Sequence, residues 1–263
     1  MTEYIIKETT SSAVSDLKRL YLEELSAPLD GMWESFAGLA DHYAIHYENQ
    51  IMGYCVINDE KKILQFFITE PSHAAAAFDQ VLAHTGAIGA IVHTSDSHGL
   101  CRCLDHQKSI AVNGLLYHED KKNTPGVFGA DCHFRPVSSE ELQEAVIFGE
   151  KALGADRNWL ENYFSERIKR QELFGLWQGS GLIATGECRL SDSQHPYADV
   201  GMVVSQDHRG KGLATTILQH FRRQCHEKGL RAICSTESDN IAARKAIAKA
   251  GFASNHRILQ VTF

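Results

Sequence analysis

A glycine-rich turn between a predicted strand and a predicted helix carries the clearest chemistry in this sequence. The segment reads Val203-Val204-Ser205-Gln206-Asp207-His208-Arg209-Gly210-Lys211-Gly212-Leu213-Ala214-Thr215-Thr216. Because Gly210 and Gly212 have no side chains, an anion can approach the backbone N–H groups of the turn. The first turn of the following helix adds unpaired N–H donors and the positive end of the helix dipole. The segment therefore predicts a phosphate-binding site.

Two other glycine-rich phosphate-binding motifs do not fit this segment. A P-loop requires Ser or Thr directly after Gly-Lys, but Lys211 is followed by Gly212. A dinucleotide-binding fingerprint requires a third glycine, and that position is Thr215. A plain strand–turn–helix, whose glycines serve only the turn, is the alternative without a ligand.

The elements that must position this turn are visible across the C-terminal half. Alternating and apolar runs predict strands at residues 132–137, 173–177, 182–190, 197–204, 230–234 and 258–263. Start and stop signals predict helices that begin near Ser138, Asn158, Leu213 and Asn240. The predicted order is β-α-α-β-β-β-α-β-α-β.

Two motifs in this half resemble those of the GNAT superfamily of acyl-CoA-dependent N-acyltransferases. Arg209-x-x-Gly212-x-Ala214 resembles the family signature Arg/Gln-x-x-Gly-x-Gly/Ala, and Asn240 with Gly251-Phe252 resembles the family's second conserved helix. The resemblance covers the whole half. It implies an α/β (α+β) fold, with a mixed, mostly antiparallel central sheet flanked by helices.

The N-terminal half repeats the plan, so we expect two tandem GNAT-like domains. Residues 68–77 align with 204–213 at an offset of 136, and residues 95–97 align with 238–240 at an offset of 143. His73-Ala74-Ala75-Ala76 replaces the Arg-Gly-x-Gly of the second copy, which predicts a degenerate first copy. The predicted domains are 1–120, degenerate, and 132–263, catalytic and acyl-CoA-binding, with a polar linker at 119–131.

The resemblance implies an N-acyltransferase, most simply an acetyltransferase, that moves an acetyl group from acetyl-CoA to a primary amine. In this family the turn holds the pyrophosphate of coenzyme A, and the splayed central strand contacts its pantetheine arm. The implied cofactor-binding residues are Met202, Val203, Val204, Arg209, Gly210, Lys211, Gly212, Leu213, Ala214, Thr215 and Asn240. The runner-up hypothesis is a non-catalytic acyl-CoA-binding or sensing protein.

A base is needed because an alkylamine is mostly protonated at neutral pH. Glu187 and Asp199 are the catalytic candidates. Glu187 could equally be a surface carboxylate, and Asp199 is the weaker candidate of the two, since the sequence does not fix the phase of the strands. Many family members carry a tyrosine four residues before Gly-Phe that protonates the leaving thiolate. Here that position is Ile247, so Ser235, Tyr197 or water would have to serve.

Composition sets the remaining expectations. The chain has 263 residues, a formal net charge of −7 and 7 cysteines, an odd number that favours free thiols in a reducing, cytoplasmic compartment. The N-terminus has no signal-peptide pattern, and no segment has the length of a membrane span. The cysteines and histidines at 98, 101, 103 and 106 are zinc-type ligands, but helical spacing spreads them, so no metal is expected.

The same reasoning sets the expected partners. We expect a small-molecule or peptide amine acceptor, with no nucleic acid and no membrane as partner. The expected assembly is a monomer with an intramolecular pseudo-dimer, or a homodimer. Nothing in the sequence names the acceptor.

Overall fold

The computed structural model describes residues 4–121 and 126–263, which form two compact units. Unit 1 comprises Met1–Leu116 with Asn255–Phe263, and unit 2 comprises Tyr117–Ser254. Of the predicted linker, residues 122–125 lie outside the described residues, as do residues 1–3. The domain ranges 1–120 and 132–263 stay predictions.

The chain runs twice through the order β-α-α-β-β-β-α-β-α-β, as predicted. The strands of the first run are β1 Ile5–Thr9, β2 Asp41–Tyr47, β3 Gln50–Ile57, β4 Lys62–Ile68, β5 Gly89–His93 and β6 Ser109–Glu119. Its helices are α1 Ser15–Glu24, α2 Gly31–Leu39, α3 Ala74–Thr85 and α4 Ser97–His106. The strands of the second run are β7 Cys132–Pro136, β8 Leu173–Gln178, β9 Gly181–Leu190, β10 Tyr197–Val204, β11 Arg231–Glu237 and β12 Phe252–Thr262. Its helices are α5 Leu142–Leu153, α6 Arg157–Lys169, α7 Leu213–Glu227 and α8 Ile241–Lys249.

The sheet of unit 1 is antiparallel from β1 to β4 and parallel between β4 and β5. The last residues of the chain complete it, because Ile258–Thr262 of β12 pair with β5 in antiparallel register. Successive strand residues alternate between its two faces. Phe66 therefore packs with Phe78 of α3, while Phe67 packs with Tyr21 and Trp33 of α1 and α2. Both faces are covered by helices, which explains the apolar runs in β3 and β4.

In unit 2 the strands follow the order β11-β10-β9-β8-β7, and only the pair of β10 and β11 is parallel. α5 and α6 pack on one face around Leu160, Phe164 and Trp177. α7 packs on the other face so closely that a Cβ at Gly186 would lie 2.7 Å from the ring of Phe221. The glycine therefore lets α7 approach the centre of the sheet.

A buried arginine fixes the end of α8 to the chain that follows β6. Arg222 is 1% exposed and donates from Nη1 to the carbonyl oxygen of Ala250 and from Nη2 to that of Lys121, both at 2.6 Å. Its Nε lies 3.3 Å from Glu119 Oε1, and its guanidinium lies over the ring of Phe252. These contacts compensate the positive charge of the Arg222 guanidinium, so that it can be buried in the core of unit 2.

A second buried polar network lies in unit 1 where β5 meets α4. Tyr21 donates its hydroxyl proton to Asp96 Oδ2 at 3.1 Å, and its oxygen lies 3.4 Å from His93 Nε2. Nδ1 of His93 faces the hydroxyl of Ser95, which can donate to it. This pattern holds His93 as the neutral Nε2–H tautomer. Burial lowers the pKa of His93 to about 3.

We expect unit 1 to lose stability in mild acid because of His93. The unfolded histidine, with a pKa of about 6.5, takes up a proton that the folded one refuses, so the stabilisation is present above pH 6.5 and is lost as the pH falls toward 3. Lowering the pH from 7 to 5 should cost about 2 kcal/mol of unfolding free energy through this residue. Urea unfolding at both pH values would measure it. His93→Gln should flatten the dependence, whereas the exposed His133→Gln should not; an unchanged slope in His93→Gln would contradict the assignment.

Candidate functional site

A cavity of about 420 Å³ opens in unit 2 at the N-termini of α7 and α8. All predicted cofactor-binding residues except Lys211 line it, namely Met202, Val203, Val204, Arg209, Gly210, Gly212, Leu213, Ala214, Thr215 and Asn240. The lining residues that the sequence did not single out are Ala152, Leu153, His208, Ala242, Ala243, Lys245, Ala246 and Lys249. The structure therefore brings the strand, the turn and the two helix starts to one concave surface.

The turn between β10 and α7 has the backbone that its glycines allow. Gly210 and Gly212 both have positive φ, 76° and 83°, and Gly212 is the residue that caps α7. Because Gly212 has no side chain to cap α7, it leaves the first backbone N–H groups of the helix available to a ligand. The side chain of Arg209 folds back, and its Nε donates to the carbonyl oxygen of Val204 at 3.2 Å. The backbone of this turn therefore has the conformation that the predicted phosphate site requires.

β10 and β11 separate beside this cavity. Their parallel ladder joins Tyr197–Asp199 to Arg231–Ile233, and no pairing of described residues continues toward Val204. On its other edge β10 stays paired with β9 to the end of the strand. The backbone of Met202–Val204 on the β11 side therefore faces the cavity, as expected for a splayed central strand.

The charges around the cavity all have one sign. Arg209, Lys245 and Lys249 are its charged lining residues, and no carboxylate appears among the lining residues that the structure describes. Lys245 and Lys249 lie four residues apart on α8, so both point to one side of the helix. That spacing was visible in the sequence, but only the packing of α8 turns this side toward the cavity. Three cations and a helix N-terminus favour a ligand with several phosphate charges.

Asn240 has a structural task in addition to its place in the cavity wall. Its Oδ1 caps α8 by accepting from the N–H of Ala243 at 3.1 Å. Ile247, where many relatives carry tyrosine, is 2% exposed and packs into the core instead of lining the cavity. Ser235 and Tyr197, the candidate proton donors, are not lining residues either, and Tyr197 lies at the opposite end of β10.

The two catalytic candidates share one face of the sheet with Arg189 and Tyr163. Asp199 is directly opposite Arg189 in the ladder, with its Oδ2 at 3.0 Å from Nη2, and only 6% of its side chain is exposed. Glu187 is two residues from Arg189 on β9 and keeps 20% of its side chain exposed. Its Oε2 accepts a hydrogen bond of 2.6 Å from the hydroxyl of Tyr163 on α6. Burial and the nearby Glu187 raise the pKa of Tyr163, which keeps that proton on the phenol.

The corresponding region of unit 1 has no comparable turn. Residues 69–73 join β4 to α3, whereas the longer segment 205–212 joins β10 to α7. α3 begins at Ala74, so the alignment at an offset of 136, which placed Ala77 opposite Leu213, is wrong by three residues at the helix start. His73 closes the position, because its ring packs on Tyr47 and its Nδ1 bonds the hydroxyl of Tyr4. The first copy is degenerate because it lacks both the length and the glycines of the turn.

The other alignment, at an offset of 143, is displaced by one residue. It set Ser97 opposite Asn240, but the residue that caps α4 is Asp96, which accepts from the N–H of Gly99. The zinc-type ligands at 98, 101, 103 and 106 lie on or at the end of α4. Among the described residues, no group of three or more His, Cys, Asp and Glu side chains is placed to hold a metal ion. No helix of the described chain is both long and apolar enough to cross a membrane.

Comparisons with known proteins agree with this geometry. Two family models match in tandem: one described as "Acetyltransferase (GNAT) domain" at residues 10–120, and one described as "Acetyltransferase (GNAT) family" at residues 138–252. A GNAT-family acetyltransferase structure from Colwellia psychrerythraea is 36% identical, with 98% of this chain and 99% of that chain covered and a TM-score of 0.91. The chain therefore belongs to the GNAT family of acetyltransferases, as a tandem-domain member.

More distant structures share the fold of the whole chain. A tandem GNAT protein from the clavulanic acid biosynthesis pathway has a TM-score of 0.68 at 14% identity, with 98% of each chain covered. A GCN5-related N-acetyltransferase from Sphaerobacter thermophilus has a TM-score of 0.71 at 12% identity, covering 98% of this chain and 94% of that one. No curated protein sequence matched this chain. The predicted fold class and tandem organisation are confirmed.

Proposed function

We propose that this protein transfers an acetyl group from acetyl-CoA to a primary amine, with the cofactor bound in the cavity of unit 2. The observation that carries the proposal is the cavity itself. A splayed strand, a glycine turn at a helix N-terminus and three cations converge on one surface, and none of its described lining residues is a carboxylate. Family membership supports the same activity.

The residues of the cavity fit the parts of coenzyme A. The N–H groups after Gly210 and Gly212 would hold the diphosphate, and Arg209, Lys245 and Lys249 would balance its charge and that of a further phosphate. The free backbone edge of Met202–Val204 would bind an amide-bearing arm in the manner of an added strand. When bound, acetyl-CoA supplies an activated acetyl thioester.

Glu187 is the better of the two candidate bases. An amine attacks only with a free lone pair, so the ammonium form has to give up a proton first. Glu187 retains exposed surface and one carboxylate oxygen beyond its bond to Tyr163, so it can accept that proton directly or through water. Asp199 is held by Arg189 below the surface, which favours a positioning task for it. The role of Glu187 as the base stays a prediction.

Incubation with acetyl-CoA and a panel of primary amines, followed by thiol release, tests the proposal. We expect release that depends on both substrates and saturates with each. Tight acetyl-CoA binding by calorimetry without release for any amine would overturn the enzymatic function and support the sensing alternative. An absence of acetyl-CoA binding would overturn the site as well.

A further inference from the structure

The surface beside Glu187 has a composition that selects among amines. Glu187, Arg189 and Asp199 together carry one net negative charge on this face of β9 and β10. The nitrogens of Arg189 face Asp199 at 3.0 Å, the hydroxyl of Tyr163 at 3.1 Å and Glu187 at 3.6 Å. Tyr163 and Asp199 thus occupy the two terminal nitrogens of the guanidinium, while its Nε is buried and faces Glu187 at a distance too long for a hydrogen bond. The guanidinium is not placed to receive a carboxylate from a substrate, whereas Glu187 can receive a cation.

An aromatic pair extends from this carboxylate toward solvent. The ring of Tyr163 stacks on that of Trp159, with centroids 4.9 Å apart and planes inclined by 8°. Tyr163 reaches Glu187 with its hydroxyl, while Trp159, one helical turn earlier on α6, is 46% exposed. A large apolar side chain left half exposed, and stacked on the ring whose hydroxyl bonds a carboxylate, is suited to an apolar stem that carries a positive charge.

Open space lies over the residue that faces Glu187 across the ladder. Gly201 of β10 is directly opposite Glu187, so any side chain there would stand on the same face. A Cβ built at Gly201 would have no heavy atom within 4 Å. Its φ is not in the left-handed region, so neither the backbone nor a close neighbour demands a glycine. The next two residues, Met202 and Val203, line the cavity, so Gly201 is the strand residue that directly precedes the cavity wall.

From these three observations, and resting on the proposed function, we infer the class of the acceptor. We propose that it is a primary amine on an apolar alkyl or aryl stem with no carboxylate beside the amine. Its ammonium binds Glu187 in the space over Gly201, and its stem packs against Trp159. In the transfer the bound ammonium first gives one proton to Glu187. The amine nitrogen then bonds the acyl carbon as the C–S bond breaks, and the nitrogen's second proton passes through water to the departing thiolate, which leaves as the thiol.

A matched pair of probes tests the charge rule. 2-Phenylethylamine and phenylalanine differ by one carboxylate, so both are titrated by calorimetry into protein saturated with coenzyme A. We expect 2-phenylethylamine to bind at least tenfold more tightly. Equal affinities, tighter binding of phenylalanine, or no binding of 2-phenylethylamine would overturn the inference.

A matched pair of variants tests whether the amine binds in the space over Gly201. Gly201→Leu should weaken 2-phenylethylamine binding at least tenfold and leave the dissociation constant of coenzyme A within about twofold. Gly181→Leu is the control, because this glycine lies in the neighbouring strand β9, and its Cβ would make only an ordinary 3.7 Å contact with the carbonyl oxygen of Gln178. Trp159→Ala should weaken the binding of 2-phenylethylamine, and Trp159→Phe should retain most of the wild-type affinity.

The outcomes separate this inference from the proposed function. If coenzyme A does not bind, the proposed function fails. If coenzyme A binds and amines are acetylated, but Gly201→Leu changes neither their binding nor their KM, only the acceptor inference fails. If Gly201→Leu instead changes the preference between acetyl-CoA and longer acyl-CoA esters, the space belongs to the acyl group, and the inference is overturned as well.

Discussion

Replacing Gly212 by valine is expected to lower the affinity for acetyl-CoA roughly 100-fold or more. Gly212 caps α7 with a φ of 83°, a conformation that a β-branched residue adopts only with strain. Relief of that strain would turn the first N–H groups of α7 away from the cavity, and the new methyl groups would cover the remaining ones. The anion would lose both its donors and its access. Calorimetric titration with acetyl-CoA measures the effect.

Gly179→Val is the matched control for this variant. Gly179 also has a positive φ, 59°, and also belongs to unit 2, but it lies in the turn between β8 and β9 and does not line the cavity. It should therefore lose a similar amount of stability in a thermal unfolding experiment and keep its affinity for acetyl-CoA. Comparable loss of affinity in both variants would mean that strain alone is responsible, and the phosphate site would have to be sought elsewhere.

Replacing Glu187 by glutamine is expected to lower kcat by about 10²–10⁴-fold, with little change in acetyl-CoA affinity. Glutamine keeps the shape and can still accept the hydrogen bond from Tyr163, but it cannot take a proton from the amine. The pH dependence of kcat/KM should change too, because the ionisation of the base disappears from the profile. Steady-state thiol release over a range of pH, together with calorimetry, measures both quantities.

Asp199→Asn separates the base from its neighbour. Loss of one partner from the buried pair with Arg189 should destabilise unit 2 by about 3–5 kcal/mol, while the protein that remains folded keeps the pH profile of the wild type. If Asp199→Asn changes the pH dependence of kcat/KM and Glu187→Gln does not, Asp199 is the base and our choice is wrong. Tyr163→Phe removes the hydrogen bond to Glu187 together with the one that the hydroxyl accepts from Arg189, and it reports how much Glu187 depends on this hydroxyl.

Local signals in the sequence were sufficient for much of this architecture. Asn240 caps α8 at the predicted helix start, and the strands predicted at 173–177 and 182–190 are β8 and β9. Such features depend on residues close to one another in the chain, so a few side chains decide them. The glycine turn is of the same kind, because positive φ at Gly210 and Gly212 follows from their lack of a Cβ.

Features that combine distant segments were missed or left open. No local pattern indicated that Lys245 and Lys249 would line the cavity, or that the last strand would pair with β5 in unit 1. In the sequence Arg222 is indistinguishable from the exposed charged residues of α7. In the structure it is buried and donates to two carbonyl oxygens that are more than twenty residues away in sequence. Each of these depends on how one helix or strand is turned against another.

The sequence by itself determined which turn leaves its backbone N–H groups open and which elements surround that turn, because backbone conformation at glycines and helix caps is local. Only the tertiary structure decided which carboxylate keeps access to an amine. Glu187 and Asp199 stand on the same face, but the register of β9 and β10 sets Asp199 against Arg189 and leaves Glu187 opposite the open Gly201. One step in that register would reverse every side chain, and the register is fixed by packing across the whole sheet.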